Sequence, residues 1–164
     1  MKLIVPTLEE LRSAQLTGAA VWRTPERGCD DDAAPPPIVL QRALENIAAH
    51  PAHGAWFIPR LFWVEEAGAI VGSGRFKTTP DDPAGVEVGY GIGPRHQGHS
   101  YATAGVCLMI AEAFALPTVR TIIAMVRPDN LPSIRVLKKC GFRLEATVPD
   151  PKDGQLHRFR LSRA

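Results

Sequence analysis

The residues best suited to bind a charged ligand lie in the stretch 86–102, whose sequence is VEVGYGIGPRHQGHSYA. Its first part, Val86 to Ile92, has the alternation of a strand, and a helix is predicted from Tyr101. A helix N-terminus presents unpaired backbone N–H groups and the positive end of the helix dipole. In the connecting loop, Gly98 lets an anion approach the backbone closely, and Arg95 is permanently charged. The residue types and their spacing therefore predict a site for a phosphate or pyrophosphate.

Three other kinds of site place small residues in a loop of this type. A Walker phosphate loop has Lys and then Ser or Thr directly after its last glycine, but Gly98 is followed by histidine. A dinucleotide-binding turn needs G-x-G-x-x-G, and Pro94 occupies the place of the third glycine. A serine-hydrolase elbow has G-x-S-x-G, which Gly98 and Ser100 approach, with His157 as the base. The loop is longer than such an elbow, and a glycine-rich oxyanion segment is missing.

Residues 95–100 fit the pattern Q/R-x-x-G-x-G/A except at the last position, and residues 130–142, NLPSIRVLKKCGF, fit N-x-x-S-x-R-V-L-x-K-x-G-F. In this order the two motifs resemble those of the GNAT superfamily of N-acetyltransferases, in particular the Rim-type branch that acetylates ribosomal-protein N-termini. The resemblance covers the C-terminal half well. Ser100 replaces the usual Gly or Ala, so a requirement for positive φ there would cost affinity or loop order.

The resemblance implies a fold, a substrate and a set of contacts. The fold would be a GNAT-like three-layer α/β arrangement, with a central mixed, mostly antiparallel sheet splayed between its fourth and fifth strands and helices on both faces. Acetyl-CoA would be the acyl donor, with its pyrophosphate at the loop and its pantetheine arm along the strand as a pseudo-strand. Residues 8 to 55 would select the acceptor. The residues implied to contact acetyl-CoA are Tyr90, Gly91, Ile92, Gly93, Arg95, His96, Gln97, Gly98, His99, Ser100, Tyr101, Asn130 and Ser133.

The implied reaction is direct acyl transfer to an amine. Glu87 is the candidate base, acting through water, because it is the one carboxylate in the strand 86–92; it is equally well explained as an ion-paired strand residue. Ser133 is the candidate donor to the thiolate, since Leu137 stands where many relatives have a tyrosine, although a serine at a helix start also bonds its own backbone. A backbone N–H near Ile92 would stabilise the oxyanion.

The acceptor can be narrowed by its protonation state. An α-amine has a pKa near 7.8 and a lysine near 10.4, so the neutral fraction of an α-amine is roughly a few hundredfold larger at neutral pH. A protein N-terminal α-amine or a small amine of low pKa is therefore the expected acceptor. Two rival functions stay open at this stage: a serine hydrolase using Ser100 and His157, and an acyl-CoA-binding module without catalysis.

Composition limits the class of protein. The chain has 164 residues, 45% of them hydrophobic and 22% charged, and a net charge of +2. We expect one acetyltransferase domain over 1–164, with no nucleic-acid or membrane partner. Three widely spaced cysteines indicate reduced thiols in a cytoplasmic protein. The H-x-x-H of His96 and His99 lacks a third ligand at metal spacing, so no metal is expected. Because GNAT relatives often pair, a homodimer is a further expectation.

Hydrophobic periodicity and the glycine and proline positions predict the elements that carry these residues. The capping-box pattern at Thr7 starts a first helix that ends by Gly18. Residues 24–37 form a loop, and its run Asp30-Asp31-Asp32 is either a solvated tip or a surface that attracts a basic substrate. Strands are predicted at 2–6, 57–65, 69–79, 86–92, 121–126, 143–148 and 156–162, and further helices at 38–50, 101–116 and 131–140.

Overall fold

The computed structural model describes residues 1–164, which form eight strands, four α-helices and three 3-10 segments. The strands are β1 (Lys2–Ile4), β2 (Gly28–Cys29), β3 (Arg60–Val64), β4 (Ala69–Phe76), β5 (Val86–Ile92), β6 (Thr121–Val126), β7 (Arg143–Asp150) and β8 (Gly154–Ser162). The α-helices are α1 (Leu8–Thr17), α2 (Pro37–Ala49), α3 (Tyr101–Ala115) and α4 (Leu131–Lys139). Short 3-10 segments cover Gly18–Trp22, Pro51–Phe57 and Pro94–His96.

All the strands belong to one sheet with the order β1-β3-β4-β5-β6-β8-β7, and β2 pairs with β4 off this path. The neighbours are antiparallel except for β5 with β6 and β2 with β4, which are parallel. The parallel pair β5–β6 is joined by α3, as a crossover connection requires. The sheet is therefore mixed and mostly antiparallel, which confirms the predicted fold class.

The sheet opens between β5 and β6. These strands pair only at their beginnings, where Val86, Glu87 and Val88 lie opposite Ile122, Ile123 and Ala124. Beyond these positions β5 continues to Ile92 and β6 to Val126 without pairing with each other. The prediction did not include β2, so the predicted fourth and fifth strands are β5 and β6. This gap is therefore the predicted opening of the sheet.

Helices cover both faces of the sheet. Adjacent residues of β3 point to opposite faces, and Leu61 lies in the cluster under α1 and α2 while Phe62 lies in the cluster under α3 and α4. Gly105 of α3 faces Phe62 so closely that a Cβ atom there would come within 2.5 Å of the ring. A glycine at this position is what lets α3 approach the sheet. None of the helices combines the length and apolar character needed to cross a membrane.

The clearest differences from the predicted elements are at the start of β3 and in the loop 24–37. β3 begins at Arg60 because the preceding residues form 3-10 turns. The Arg60 side chain, 4% exposed, bonds the carbonyl oxygen of Trp56 at 2.7 Å and the carboxylate of Glu112. The loop 24–37 contains the short strand β2, which the sequence did not predict. Thr7 and Glu10 form the predicted capping box at the start of α1.

Candidate active site

A cavity of about 910 Å³ occupies the gap between β5 and β6. Its walls come from both strands, from the start of α4, from α2 and the loop before it, and from the β7–β8 turn. Six of the residues singled out in the sequence line it: Glu87, Tyr90, Gly91, Ile92, Asn130 and Ser133. The residues from Gly93 to Tyr101 follow directly at the end of β5 and lie outside its lining.

The backbone of β5 directs free polar groups into this cavity. The carbonyl of Glu87 accepts a hydrogen bond from Lys77, and the N–H of Gly93 donates one to Val71, so these residues face β4. In an antiparallel pair without a bulge the direction alternates, and β4 and β5 pair without a register shift. Tyr90 and Ile92 therefore turn their backbone groups towards the missing β6 pairing. The carbonyl of Ile92 accepts a bond from the Gln97 side chain at 3.1 Å, while its N–H faces the cavity.

The loop after β5 ends in two left-handed residues. Gly98 has a φ of 81° and Ser100 a φ of 61° with a ψ of 12°. Ser100 is the residue before α3, and its hydroxyl makes no capping hydrogen bond. The first N–H groups of α3 therefore have no side-chain partner, as an anion site requires. The sequence predicted a cost in affinity or loop order if position 100 requires a positive φ. Ser100 does adopt a positive φ.

The side chains of the loop brace its backbone. The Nδ1 atom of His99 lies 2.8 Å from the carbonyl oxygen of Gln97, and the ring stacks on Tyr101 at 5.4 Å between centroids. The Nε2 atom of His96 lies 3.4 Å from the Asp30 carboxylate. Arg95 is exposed. No three histidine, cysteine, aspartate or glutamate side chains come together in a geometry that could hold a metal ion.

Asn130, Ser133 and Tyr90 meet where α4 begins. The Oδ1 atom of Asn130 accepts the Ser133 N–H at 3.2 Å, so this residue caps α4 and keeps its Nδ2 donors free. The Tyr90 hydroxyl donates to the Ser133 carbonyl at 3.2 Å. Burial raises the pKa of Tyr90 to about 12, so the phenol stays protonated at neutral pH. The Ser133 hydroxyl makes no hydrogen bond within its own helix and lies beside the Tyr90 phenol at the cavity wall.

Glu87 lies in the cavity wall as one half of an ion pair. Its carboxylate is 2.6 Å from the Nζ atom of Lys77, and the two side chains are 22% and 31% exposed. Both roles weighed for this residue in the sequence are compatible with this geometry, because the carboxylate is ion-paired and also borders the cavity.

Two cations that line the cavity were not among the site residues predicted from the sequence. Arg75 of β4 and Arg42 of α2 both line it, and Arg75 is 9% exposed. Burial lowers the pKa of Arg75, and the charge of Arg42 lowers it further. For Arg75 the signal was a single cation in a strand whose other residues are apolar, glycine or serine.

The side chains of the hydrolase interpretation have other partners. The Nδ1 atom of His157 lies 2.9 Å from the Thr147 hydroxyl. Ser100 has no side-chain hydrogen bond to a histidine, and it is the last residue of an eight-residue connection rather than part of a sharp strand-to-helix turn. This geometry offers no base to Ser100.

Comparison with known proteins gives the same family from several directions. Residues 7–143 match the family described as Acetyltransferase (GNAT) domain. The chain is 30% identical over 87 residues to an uncharacterized N-acetyltransferase p20 of Bacillus licheniformis, a segment that is 53% of this chain and 49% of that relative. The match thus spans about half the length of the curated relative.

Two solved structures have the same fold at low identity. RimL, a ribosomal L7/L12 α-N-protein acetyltransferase in complex with coenzyme A, has a TM-score of 0.69 at 12% identity, covering 98% of this chain and 92% of that one. The aminoglycoside acetyltransferase AAC(6')-Ib in complex with coenzyme A has a TM-score of 0.67 at 19% identity, with coverages of 99% and 94%. With the family match extending over most of the sequence, the chain belongs to the GNAT acetyltransferase family.

Proposed function

We propose that this protein transfers an acetyl group from acetyl-CoA to a primary amine by direct attack. The observation that carries the proposal is the cavity between β5 and β6, into which Tyr90 and Ile92 turn unpaired backbone groups. The loop that follows β5 ends at the uncapped N-terminus of α3. A strand-like pantetheine arm leading to a pyrophosphate fits these two features together.

The proposed contacts with acetyl-CoA begin at the loop beyond the end of β5 and continue into the cavity. The loop from Gly93 to Tyr101, with its cations and free N–H groups, binds the pyrophosphate. The strand from Tyr90 to Ile92 pairs with the pantetheine amides. Asn130 donates from its free Nδ2 atom to the same arm, because its Oδ1 atom is committed to the helix cap.

Three groups serve the chemical step. The acceptor nitrogen forms a bond to the acetyl carbon while the carbon–sulfur bond breaks, and a backbone N–H near Ile92 binds the oxygen that becomes negative. Glu87 takes the proton of the amine through water. Ser133 donates a hydrogen bond to the leaving thiolate, since its hydroxyl has no partner within α4.

The charges of the wall favour a neutral amine. Arg75 and Arg42 border the cavity without forming an ion pair, and a nearby cation lowers the pKa of a bound ammonium group. This effect adds to the low pKa of an α-amine. The acceptor is therefore a protein N-terminal α-amine or a small amine of low pKa. Location in the cytoplasm and pairing as a homodimer stay predictions from the sequence.

Release of free CoA thiol from acetyl-CoA, measured with a thiol reagent, tests the proposal over a panel of amines. The panel contains peptides with free N-termini, the same peptides with blocked N-termini and a lysine, and small amines. Turnover with free N-termini or small amines is the expected result. Binding of acetyl-CoA without turnover on any amine would favour the rival binding module, and faster reaction of lysine than of N-termini would refute the choice of acceptor.

A further inference from the structure

Arg75 is a buried cation without a partner. The residue is 9% exposed and lines the cavity. Its guanidinium makes no hydrogen bond or ion pair within the protein, and its nitrogens reach the cavity, since the fully buried unpaired nitrogens of the chain belong to Trp22, His96 and Arg158. Burying a charge is costly unless it is paired and hydrogen-bonded. The fold thus holds an unsatisfied guanidinium at the edge of an open space, as it would for a ligand that supplies the missing acceptors.

The other buried arginine shows what this fold does when the role is structural. Arg60 is 4% exposed, and its guanidinium bonds the carbonyl oxygens of Trp56 and Ile58 and the carboxylate of Glu112. Arg60 lies away from the cavity. The two residues sit on neighbouring strands with similar burial, so the difference between them is the presence of internal partners.

The charges around Arg75 leave it unneutralised. Glu87 lies near enough to raise its pKa, but that carboxylate is held by Lys77 at 2.6 Å. Arg42 is an exposed cation on the rim and adds positive charge. The Asp150 carboxylate at the far wall accepts two N–H groups of its own turn. The cavity lining as a whole holds a small excess of positive charge, with five cations (Arg42, Arg75, Lys77, Arg127 and Lys152) and four carboxylates (Asp32, Glu87, Asp150 and Asp153).

The position of Arg75 separates it from the pyrophosphate site. It pairs across the sheet with Gly89, six residues before Arg95. A strand rises about 3.3 Å per residue, so the backbone at Arg75 lies three strand residues from Ile92, roughly 10 Å before the loop begins. Arg75 shares the face of the sheet with Glu87, because residues two apart point the same way. Arg75 therefore lies on the Glu87 side of the cavity, away from the loop.

We propose that the acceptor is an amine that also carries a carboxylate, which Arg75 binds through its guanidinium while Arg42 on the rim attracts it. This inference rests on the proposed function and names the substrate class of the same site. The planar fork of arginine matches a carboxylate with two parallel hydrogen bonds. One carboxylate also neutralises the one buried charge that lacks a partner. The same cations disfavour polyamines and other polycationic acceptors.

Matched acceptors that differ only in this charge test the inference. The pairs are alanyl-glutamate amide with alanyl-glutamine amide, and γ-aminobutyrate with γ-aminobutyramide, with O-phosphoethanolamine and alanyl-lysine amide as further arms. Rates are referred to the neutral fraction of each amine. We expect kcat/KM for the carboxylate member to exceed that of its neutral partner by about 10- to 100-fold, the range for a hydrogen-bonded charge. The lysine peptide should be the poorest substrate.

Variants assign the preference to Arg75. Arg75→Met should reduce the preference to near unity, with no loss in melting temperature and an unchanged shift on adding acetyl-CoA. Arg75→Lys keeps the charge but not the planar guanidinium, so it should keep part of the preference for the carboxylate. It replaces Arg75→Met in the test if the methionine variant does not fold. Arg12→Met removes an exposed charge of α1 and should change nothing.

The outcomes distinguish a failure of the carboxylate inference from a failure of the proposed acetyl transfer. Turnover at equal rates for charged and neutral partners, or a preference confined to O-phosphoethanolamine, would overturn the carboxylate and leave acetyl transfer standing. A fall in melting temperature for Arg75→Met with the preference intact would show a structural arginine. No CoA release with any amine would refute the proposed function and the inference with it.

Discussion

Replacing Ser100 by glycine should stabilise the protein without removing any contact. Ser100 has a φ of 61°, and it is the one non-glycine residue of the chain with positive φ. The left-handed region costs an L-residue roughly 1–2 kcal/mol, while a glycine loses about 0.5–1 kcal/mol more backbone entropy on folding. The net gain for Ser100→Gly is therefore about 0.5–1 kcal/mol. In a domain of this size the melting temperature should rise by about 1–4 °C.

Thermal unfolding of three variants separates the conformational effect from the hydroxyl. Ser100→Ala removes the hydroxyl and keeps the strain, so its melting temperature should match the wild type. Gly98→Ala adds strain of the same kind at a φ of 81°, where a Cβ would meet no atom within 4 Å, and should cost about 1 kcal/mol. A gain for Ser100→Ala equal to that of Ser100→Gly, or no gain for either, would refute the account of strain at Ser100.

Four further predictions concern catalysis, packing and pH. Glu87→Gln should lower kcat by about 100-fold or more; Lys77→Met, which breaks the same ion pair, should lower it far less, and equal losses in the two variants would reduce Glu87 to an ion-pair partner. Tyr90→Phe should cost about 1 kcal/mol in urea unfolding, because it removes the bond to the Ser133 carbonyl; an unchanged midpoint would contradict that bond. Gly105→Ala should lower stability by about 1–3 kcal/mol through overpacking against Phe62, and a wild-type melting temperature would mean that the ring moves freely. Burial raises the pKa of Cys29 from 9.0 to about 11, so its contribution to stability is complete below pH 9 and is lost as the pH rises to 11; the melting temperature of Cys29→Ala should fall less steeply over that interval, and parallel curves would contradict this.

The sequence predicted the central elements because their signals are local. β6 was predicted at its observed bounds, and α3 and α4 to within one residue, since prolines and caps mark their ends. Asn130 caps α4 as its type indicated. The opening of the sheet was not a local signal. It came from the resemblance of the two motifs, and the pairing of β5 with β6 over three residues confirms it.

The parts that escaped prediction depend on long-range contacts. β2 exists only because two residues of a loop pair with β4, and two residues have no periodicity to read. For Arg75 the charge was visible, but its burial and lack of partners depend on which strands and helices enclose it. For Ser100 the sequence indicated the cost of a positive φ but did not predict that φ would be positive.

Hydrogen exchange of the β5 amides with and without acetyl-CoA tests most directly whether the splayed strand binds the donor. At a hundred times its dissociation constant a ligand stabilises by about 2.7 kcal/mol, so the N–H groups of Tyr90 and Ile92 and those of the first turn of α3 should exchange up to about 100-fold more slowly. NADH and ATP should have no such effect. Unchanged exchange of Tyr90 and Ile92 at millimolar acetyl-CoA would contradict the proposal that this cavity holds the acyl donor.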